Sequence, residues 1–330
     1  MTLNHSFLVI VLAQAVLYGT PILFAALGEL LAERSGVLNL GVEGMMLVGA
    51  VMGFWASQRA PGPSDLVLLL AVATAALAGI VMALILGFLV VTLRANQIVS
   101  GLALTIFAGG LGLSSYLGND LGLADVPPRN QFGDIDVFGL KDVPVLGPVV
   151  FNQSALVYAS WGLTIAIALY LARTRPGLNV RAVGESPAAA DAMGINVTVY
   201  RYAHVLAGGA LAGIGGACFS LAITPGWSSG DSLVGGAGWI AIALVIFSFW
   251  RAELCLVGAY LFGGLAGGLP AALQAHEYKA IPTFFRTPEF LNALPYLVTV
   301  VVLSLIATGW AKRRLGAPAA LGIPYVREER

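Results

Sequence analysis

The groups that could do chemistry in this 330-residue chain are few and unusually placed. Asn39 and Glu43 lie four residues apart in an otherwise apolar run, "SGVLNLGVEGMML", where a helix would set them on one face about one turn apart. A charged group facing lipid at such depth costs roughly 2.5 to 3.5 kcal/mol on insertion scales, so Glu43 must face protein or a wet path. Two roles are open for it. It is interhelical glue, hydrogen-bonded near Gly41, Gly44 or another span, or it is a gate lining a pathway. Glu29, Asn96, Gln97, Asp231 and His204 lie nearer the ends of apolar runs, where water or headgroups satisfy polar atoms more easily. His5, His204 and His276 are scattered and no nucleophile motif accompanies them, which argues against a membrane-embedded enzyme. One isolated acid is also a poor ion relay for a secondary transporter. Cys218 and Cys255 sit in apolar runs without metal-type spacing and read as small buried hydrophobes.

The elements that must position these groups are membrane helices. Hydrophobic residues make up 58% of the chain and charged ones 10%, and the mean hydropathy is +0.87. The formal charge is zero, so no basic face invites nucleic acid. The N-terminus lacks a basic stretch before its apolar run and reads as a retained first span. Apolar segments at about 7 to 31, 37 to 57, 66 to 92, 97 to 117, 154 to 172, 203 to 223, 237 to 250, 254 to 273 and 291 to 310 give nine crossings. The segment at 237 to 250 is short for a full crossing. The expected fold is an all-α integral membrane protein, one polytopic bundle of about nine transmembrane helices over residues 1 to 330. Placing 173 to 202 inside puts twelve lysines and arginines on that side, among them Arg34, Arg94, Arg201, Arg251, Lys312, Arg313, Arg314, Arg327 and Arg330, against five outside. That bias sets the N-terminus outside and the C-terminus in the cytoplasm.

Two connections are long. The outer one, 118 to 153, carries Asp120, Asp125, Asp134, Asp136 and Asp142 between proline breaks and reads as an irregular cap whose spacing matches no calcium loop. In the inner one, 173 to 202, Ser186 before Pro187 signals a helix start, three alanines propagate it, and Gly194 ends it after about two turns. A helix that short is marginal alone and needs packing, on its own protein or on a partner. Within the spans, Gly209 with Gly213, and Gly263 and Gly264 with Gly267 and Gly268, form G-x-x-x-G pairs that let backbones approach closely. Pro21, Pro270 and Pro295 interrupt backbone hydrogen bonding, which a bundle tolerates where neighbours satisfy the freed groups.

The stretch "GESPAAADAMGI" resembles the cytoplasmic coupling segment of permease subunits in bacterial ATP-binding cassette (ABC) importers. With "ERSGVLNLGVEGMMLVGA" and "RANQIVSGLAL", the chain resembles the ribose-type and nucleoside-type branch from roughly Pro21 to Trp310. It is most similar to nucleoside importers that work with a basic-membrane-protein-type binding lipoprotein. The resemblance implies a multi-pass protein of the bacterial cytoplasmic (inner) membrane that moves nucleosides inward by alternating access. Its alternatives are a ribose-like sugar or a nucleobase. The implied partners are an ABC ATPase subunit, a second permease that is a related paralogue, and an extracytoplasmic substrate-binding lipoprotein. Coupling to the ATPase is expected through Arg181, Gly184, Glu185, Pro187, Ala189, Ala190, Met193 and Gly194.

No G-x-x-x-x-G-K-[ST] loop is present, since Lys141, Lys279 and Lys312 lack that glycine context. The chain is therefore expected to be a transport subunit and not an enzyme, binding no cofactor and leaving ATP and magnesium to the partner ATPase. An uncharged sugar or nucleoside needs amide and hydroxyl partners and an aromatic plane. Asn39, Asn96, Gln97, Trp227 and Trp239, with Glu43, are the expected substrate pathway. The two tryptophans serve equally as interfacial anchors.

Overall fold

The computed structural model describes residues 5–109, 112–124, 126–228, 233–275, 283–306 and 316–326. Asp125, Asp231, His276, Lys279, Lys312, Arg313, Arg314, Arg327 and Arg330, which entered the polar and charge arguments above, lie outside the described residues, as does the end of the last expected span. The chain is mostly helical: α1 (His5–Arg34), α2 (Val42–Arg59), α3 (Ser64–Gly87), α4 (Gln97–Ala108), α5 (Leu113–Asp120), α6 (Ala155–Arg173), α7 (Arg175–Glu185), α8 (Pro187–Ala192), α9 (Val197–Cys218), α10 (Ala237–Phe247), α11 (Ala252–Gly263), α12 (Leu269–Ala275) and α13 (Pro288–Ile306). Among the described residues, six stretches are long and apolar enough to cross a membrane: Phe7–Arg34, Ser64–Thr92, Gln97–Asp120, Ala155–Arg173, Val197–Ile223 and Ala252–Gln274. The other three expected spans coincide with α2, α10 and α13, which fall short of that measure. For α2 the cause is local, because residues 37–41 of the expected span are not helical and the helix starts at Val42.

At the centre, α9 packs against α1, α2 and α3, and α2 is buried on nearly all sides. Contact there is backbone on backbone. A Cβ on Gly213 would sit 2.2 Å from the carbonyl oxygen of Ala75 in α3, and one on Gly49 would sit 2.4 Å from that of Gly213. Lipid offers helices no hydrophobic drive to associate, so such close approach supplies the dispersion contact that holds them. The G-x-x-x-G pair at Gly209 and Gly213 is a packing surface in this structure.

Two opposite ends of α2, about 27 Å apart for its 18 residues, carry the two long connections. Near its C-terminal end, Asn130 donates to the Ser57 carbonyl at 3.0 Å, which seats the 118–153 connection. That connection is not wholly irregular: β1 (Asp134–Asp136) pairs antiparallel with β2 (Asn152–Ser154), Ile135 opposite Gln153. Among the described residues no cluster of three His, Cys, Asp or Glu side chains could hold a metal ion. At the other end lie α7, α8 and residues 316–326. The 173–202 connection holds more helix than expected. Thr174, whose hydroxyl accepts from the Gly177 amide at 3.1 Å, and Pro176 in the first turn start α7, and α9, capped by Asn196, starts at Val197, six residues before the expected span.

Candidate functional site

The chain leaves α1 through Gly36, whose φ of +86° allows the amides of Gly36 and Val37 to close on the carbonyls of Glu33 and Ala32. It does not re-enter a helix until Val42. The intervening segment runs beside α4, deep in the bundle, where every backbone group needs a partner from protein. The supply is specific. Leu38 N–H donates to Gln97 Oε1 (2.7 Å), Asn39 N–H to Glu29 Oε1 (2.9 Å) and Gly41 N–H to Asn39 Oδ1 (2.9 Å), and Thr105 Oγ1 donates to the Leu40 carbonyl (2.8 Å). Each orphaned group would cost about 1–3 kcal/mol. Asn39 is therefore not on a helix face with Glu43: it folds an Asx turn ahead of the helix. Glu29 and Gln97 are not left to water either, being 1% and 2% exposed. His204 is buried as well, between the Tyr200 carbonyl (2.7 Å from Nδ1) and the Tyr170 hydroxyl (2.9 Å from Nε2).

Glu43, in the first turn of α2, reaches a second chain break. Its Oε1 accepts from Gly236 N–H at 3.0 Å and its Oε2 from Gly238 N–H at 2.7 Å, so the carboxylate caps the N-terminus of α10. Those donors have no partner within their own helix, and negative charge is favoured at that end of the helix dipole. Gly236 takes φ +81°, and a Cβ on Gly238 would sit 2.6 Å from the Glu43 backbone. With 11 residues α10 is about 16 Å long, half of a hydrocarbon core. Its far end is pinned too: the Trp250 indole N–H donates to Glu33, and Arg34 donates to the Trp250 carbonyl through Nε (3.2 Å) and Nη2 (2.7 Å).

A cavity of about 380 Å³ opens beside the α10 N-terminus. Tyr18, Thr224, Asn292 and Tyr296 supply its polar atoms, and no charged side chain lines it among the described residues. Tyr296 donates to the Gly235 carbonyl at 3.1 Å. Two of its walls come from π-helical turns, Phe219–Ile223 after α9 and Gly264–Gly268 after α11. Such wide turns recur at functional sites because they displace side chains from the regular ladder. Discontinuous helices ending beside a central cavity are the arrangement by which membrane transporters present backbone groups to a substrate.

At the other end of the bundle, α8 begins and ends as its residues dictate. Ser186 Oγ accepts from Ala189 N–H at 3.4 Å, Pro187 occupies the first turn, and Gly194 at φ +83° follows the helix. Ala190 is buried, while Ala189 and the 82%-exposed Met193 face outward. Gly184 is pressed onto α1: a Cβ there would lie 2.3 Å from the Arg34 carbonyl oxygen.

Comparison with known proteins decides the class. Residues 11–306 match the family described as the permease component of the branched-chain amino acid transport system. The chain belongs to that permease family. It is 37% identical to TsgC13 of Haloferax volcanii, provisionally named a glucose ABC transporter permease, over 98% of this chain and 99% of that one. It is 33% identical to the nucleoside ABC transporter permease NupC of Lactococcus lactis, over 97% and 98% of the two chains. The guanosine ABC transporter permease NupQ of Bacillus subtilis matches at 33%, again over 97% and 98%. Each of these organisms holds a second, more distant permease that also matches, at 30%, 23% and 28% identity respectively. This chain is thus a multi-pass ABC permease, a transport component and not an enzyme.

Within this permease the six expected pathway residues fall apart. Asn39, Glu43 and Gln97 gather at the chain breaks, bound to backbone. Asn96 is an exposed N-cap of α4, accepting from Val99 N–H at 3.1 Å. Trp227 is buried where a Cβ on Gly118 would strike its ring, and Trp239 is exposed on α10. None of the six lines the 380 Å³ cavity; Glu43 holds Gly236 and Gly238, which flank the lining residues Gly235 and Ala237. Sequence inspection missed Tyr18, Thr224, Asn292 and Tyr296, which carry no unusual spacing, and missed Glu33, one turn after Glu29 and 1% exposed. Arg201, counted above as a loop charge, is 2% exposed inside α9.

Proposed function

We propose that this permease imports nucleosides by alternating access, driven by a separate ATPase. The observation that carries the substrate class is the likeness, at 33% and over almost the whole chain, to two permeases named for nucleosides. The cavity agrees with it: among the described residues its lining carries no charge, and two tyrosines, an amide and a hydroxyl suit a base and a ribose, whereas a free amino acid would need counter-charges. A simple sugar is the second reading, favoured by the 37% identity to the glucose-named relative.

In this scheme the chain makes nine crossings of a bacterial inner membrane, with the N-terminus outside and α7, α8 and the C-terminus in the cytoplasm. The half-length α10 approaches from the cytoplasmic side, and Pro187 to Gly194 docks the ATPase, with Arg181, Gly184 and Glu185 behind it. A binding lipoprotein delivers substrate from outside. The second permease is a paralogue, as the pairs of matching permeases in three organisms suggest. ATP and magnesium act on the partner ATPase alone.

The test is uptake into proteoliposomes holding both permeases, the ATPase and the lipoprotein. ATP-dependent accumulation of guanosine or uridine is expected. Accumulation of glucose or ribose with no nucleoside uptake overturns the nucleoside assignment, and uptake driven by an ion gradient without ATP overturns the importer itself.

A further inference from the structure

Residues 316–326 cross the end of the bundle that carries α7 and α8, and every few residues they are tied to a different element. Arg34 at the end of α1 donates to the Gly316 carbonyl (3.3 Å). Ala319 N–H donates to Glu185 Oε2 (3.3 Å) and Ala320 N–H to the Gly184 carbonyl (2.9 Å), both at the end of α7. Gly322 N–H donates to the Gly36 carbonyl (3.3 Å), at the start of the non-helical segment. Finally Tyr325 donates to Asp191 Oδ2 in α8 (2.9 Å), while its ring packs on the small cluster of Val183, Ala190 and Val197.

We infer that this C-terminal segment is a strap that sets the position of α8 and links it to the 36–41 break, with Tyr325 as the positioning residue. Six residues of helix cannot hold themselves in water, and α8 buries little beyond Ala190. Its place is set by what ties it down. The strap joins α8, the end of α7 and Gly36 by hydrogen bonds from one short run of chain. Gly36 opens the segment whose amides are held by Glu29, Asn39 and Gln97, and which leads into Glu43 and the α10 cap beside the cavity. Displacement of α8 therefore pulls on the chain break through the strap as well as through α7. The transport consequence rests on the coupling role proposed above for α8; the positioning itself does not.

Two measurements separate the two. In the permease pair in nanodiscs, without the ATPase, hydrogen exchange is followed at the amides of 188–194. Tyr325→Phe keeps the ring and removes the hydrogen bond to a carboxylate, and exchange there is expected to rise about tenfold. A chain ending at residue 315 should lose protection further, so the two variants rank the whole strap against its single hydrogen bond to Asp191. Unchanged exchange in the truncated chain overturns the strap. In the full transporter, Tyr325→Phe should lower transport per ATP hydrolysed while the ATPase still co-purifies, because Ala189 and Met193 are untouched. Transport per ATP equal to wild type, with exchange raised, overturns the link to the chain break. Ala189→Arg, by contrast, should release the ATPase. Retention of ATPase and full transport in that variant overturns the docking role of α8 and leaves the exchange result standing.

Discussion

Replacing Glu43 separates its two open roles. The carboxylate receives two amides from the start of α10, at 3.0 and 2.7 Å. Glutamine keeps one acceptor oxygen and turns an NH2 toward the other amide. One buried N–H is then unpaired, at about 1–3 kcal/mol, and the charge–dipole attraction of about 0.3–1 kcal/mol is lost. Leucine leaves both amides unpaired, about 2–6 kcal/mol, a large share of the ~5–15 kcal/mol that holds a typical domain. The expected outcome is a Glu43→Gln permease that assembles but unfolds at a temperature lower by about 5 °C, and a Glu43→Leu permease that fails to accumulate as a monodisperse protein. The assay is thermal unfolding in detergent followed by size exclusion, with uptake measured per folded molecule. Capping predicts that folded Glu43→Gln still transports. A Glu43→Leu protein with wild-type stability refutes the capping argument, and a stable Glu43→Gln protein without transport returns Glu43 to a gate.

Gly213→Leu drives a side chain into the Ala75 carbonyl, 2.2 Å from the first added carbon, and is expected to cost about 3 kcal/mol or more and to separate α9 from α3, read as loss of the monodisperse peak. Gly236→Ala asks an L-residue to hold φ +81° and should cost about 1–2 kcal/mol, lowering the unfolding temperature. Asn292→Ala removes one amide from the cavity wall and should reduce ATP-dependent uptake about tenfold, a loss of roughly 1.4 kcal/mol, with the unfolding temperature within a degree or two of wild type.

Much of this molecule was legible in its residues for simple reasons. Long apolar runs have one stable form in lipid, so the mostly helical bundle and its major spans follow from composition and length. The bounds of α8 are also local, being written in Ser186, Pro187 and Gly194. The polar residues were visible as anomalies, but their purpose was not. Periodicity placed Asn39 and Glu43 on one helix, because no term in a window of residues says that 37–41 will stay non-helical beside α4.

By itself, then, the sequence determined the solvent, the helical class, the family and the short helix at 187–192, all of which depend on neighbours along the chain. Tertiary structure alone decided which amides the buried acids and amides of α1, α2 and α4 would hold. It also decided where a cavity would lie. Glu43 meets Gly236 and Gly238 across almost two hundred residues of chain, and Tyr18 lines one cavity with Asn292 and Tyr296 across a longer interval still. Such pairings arise from how helices pack, and packing in lipid is set by backbone contact between distant small residues: the Gly209–Gly213 spacing marks a packing face but does not say that Ala75 and Gly79 will meet it.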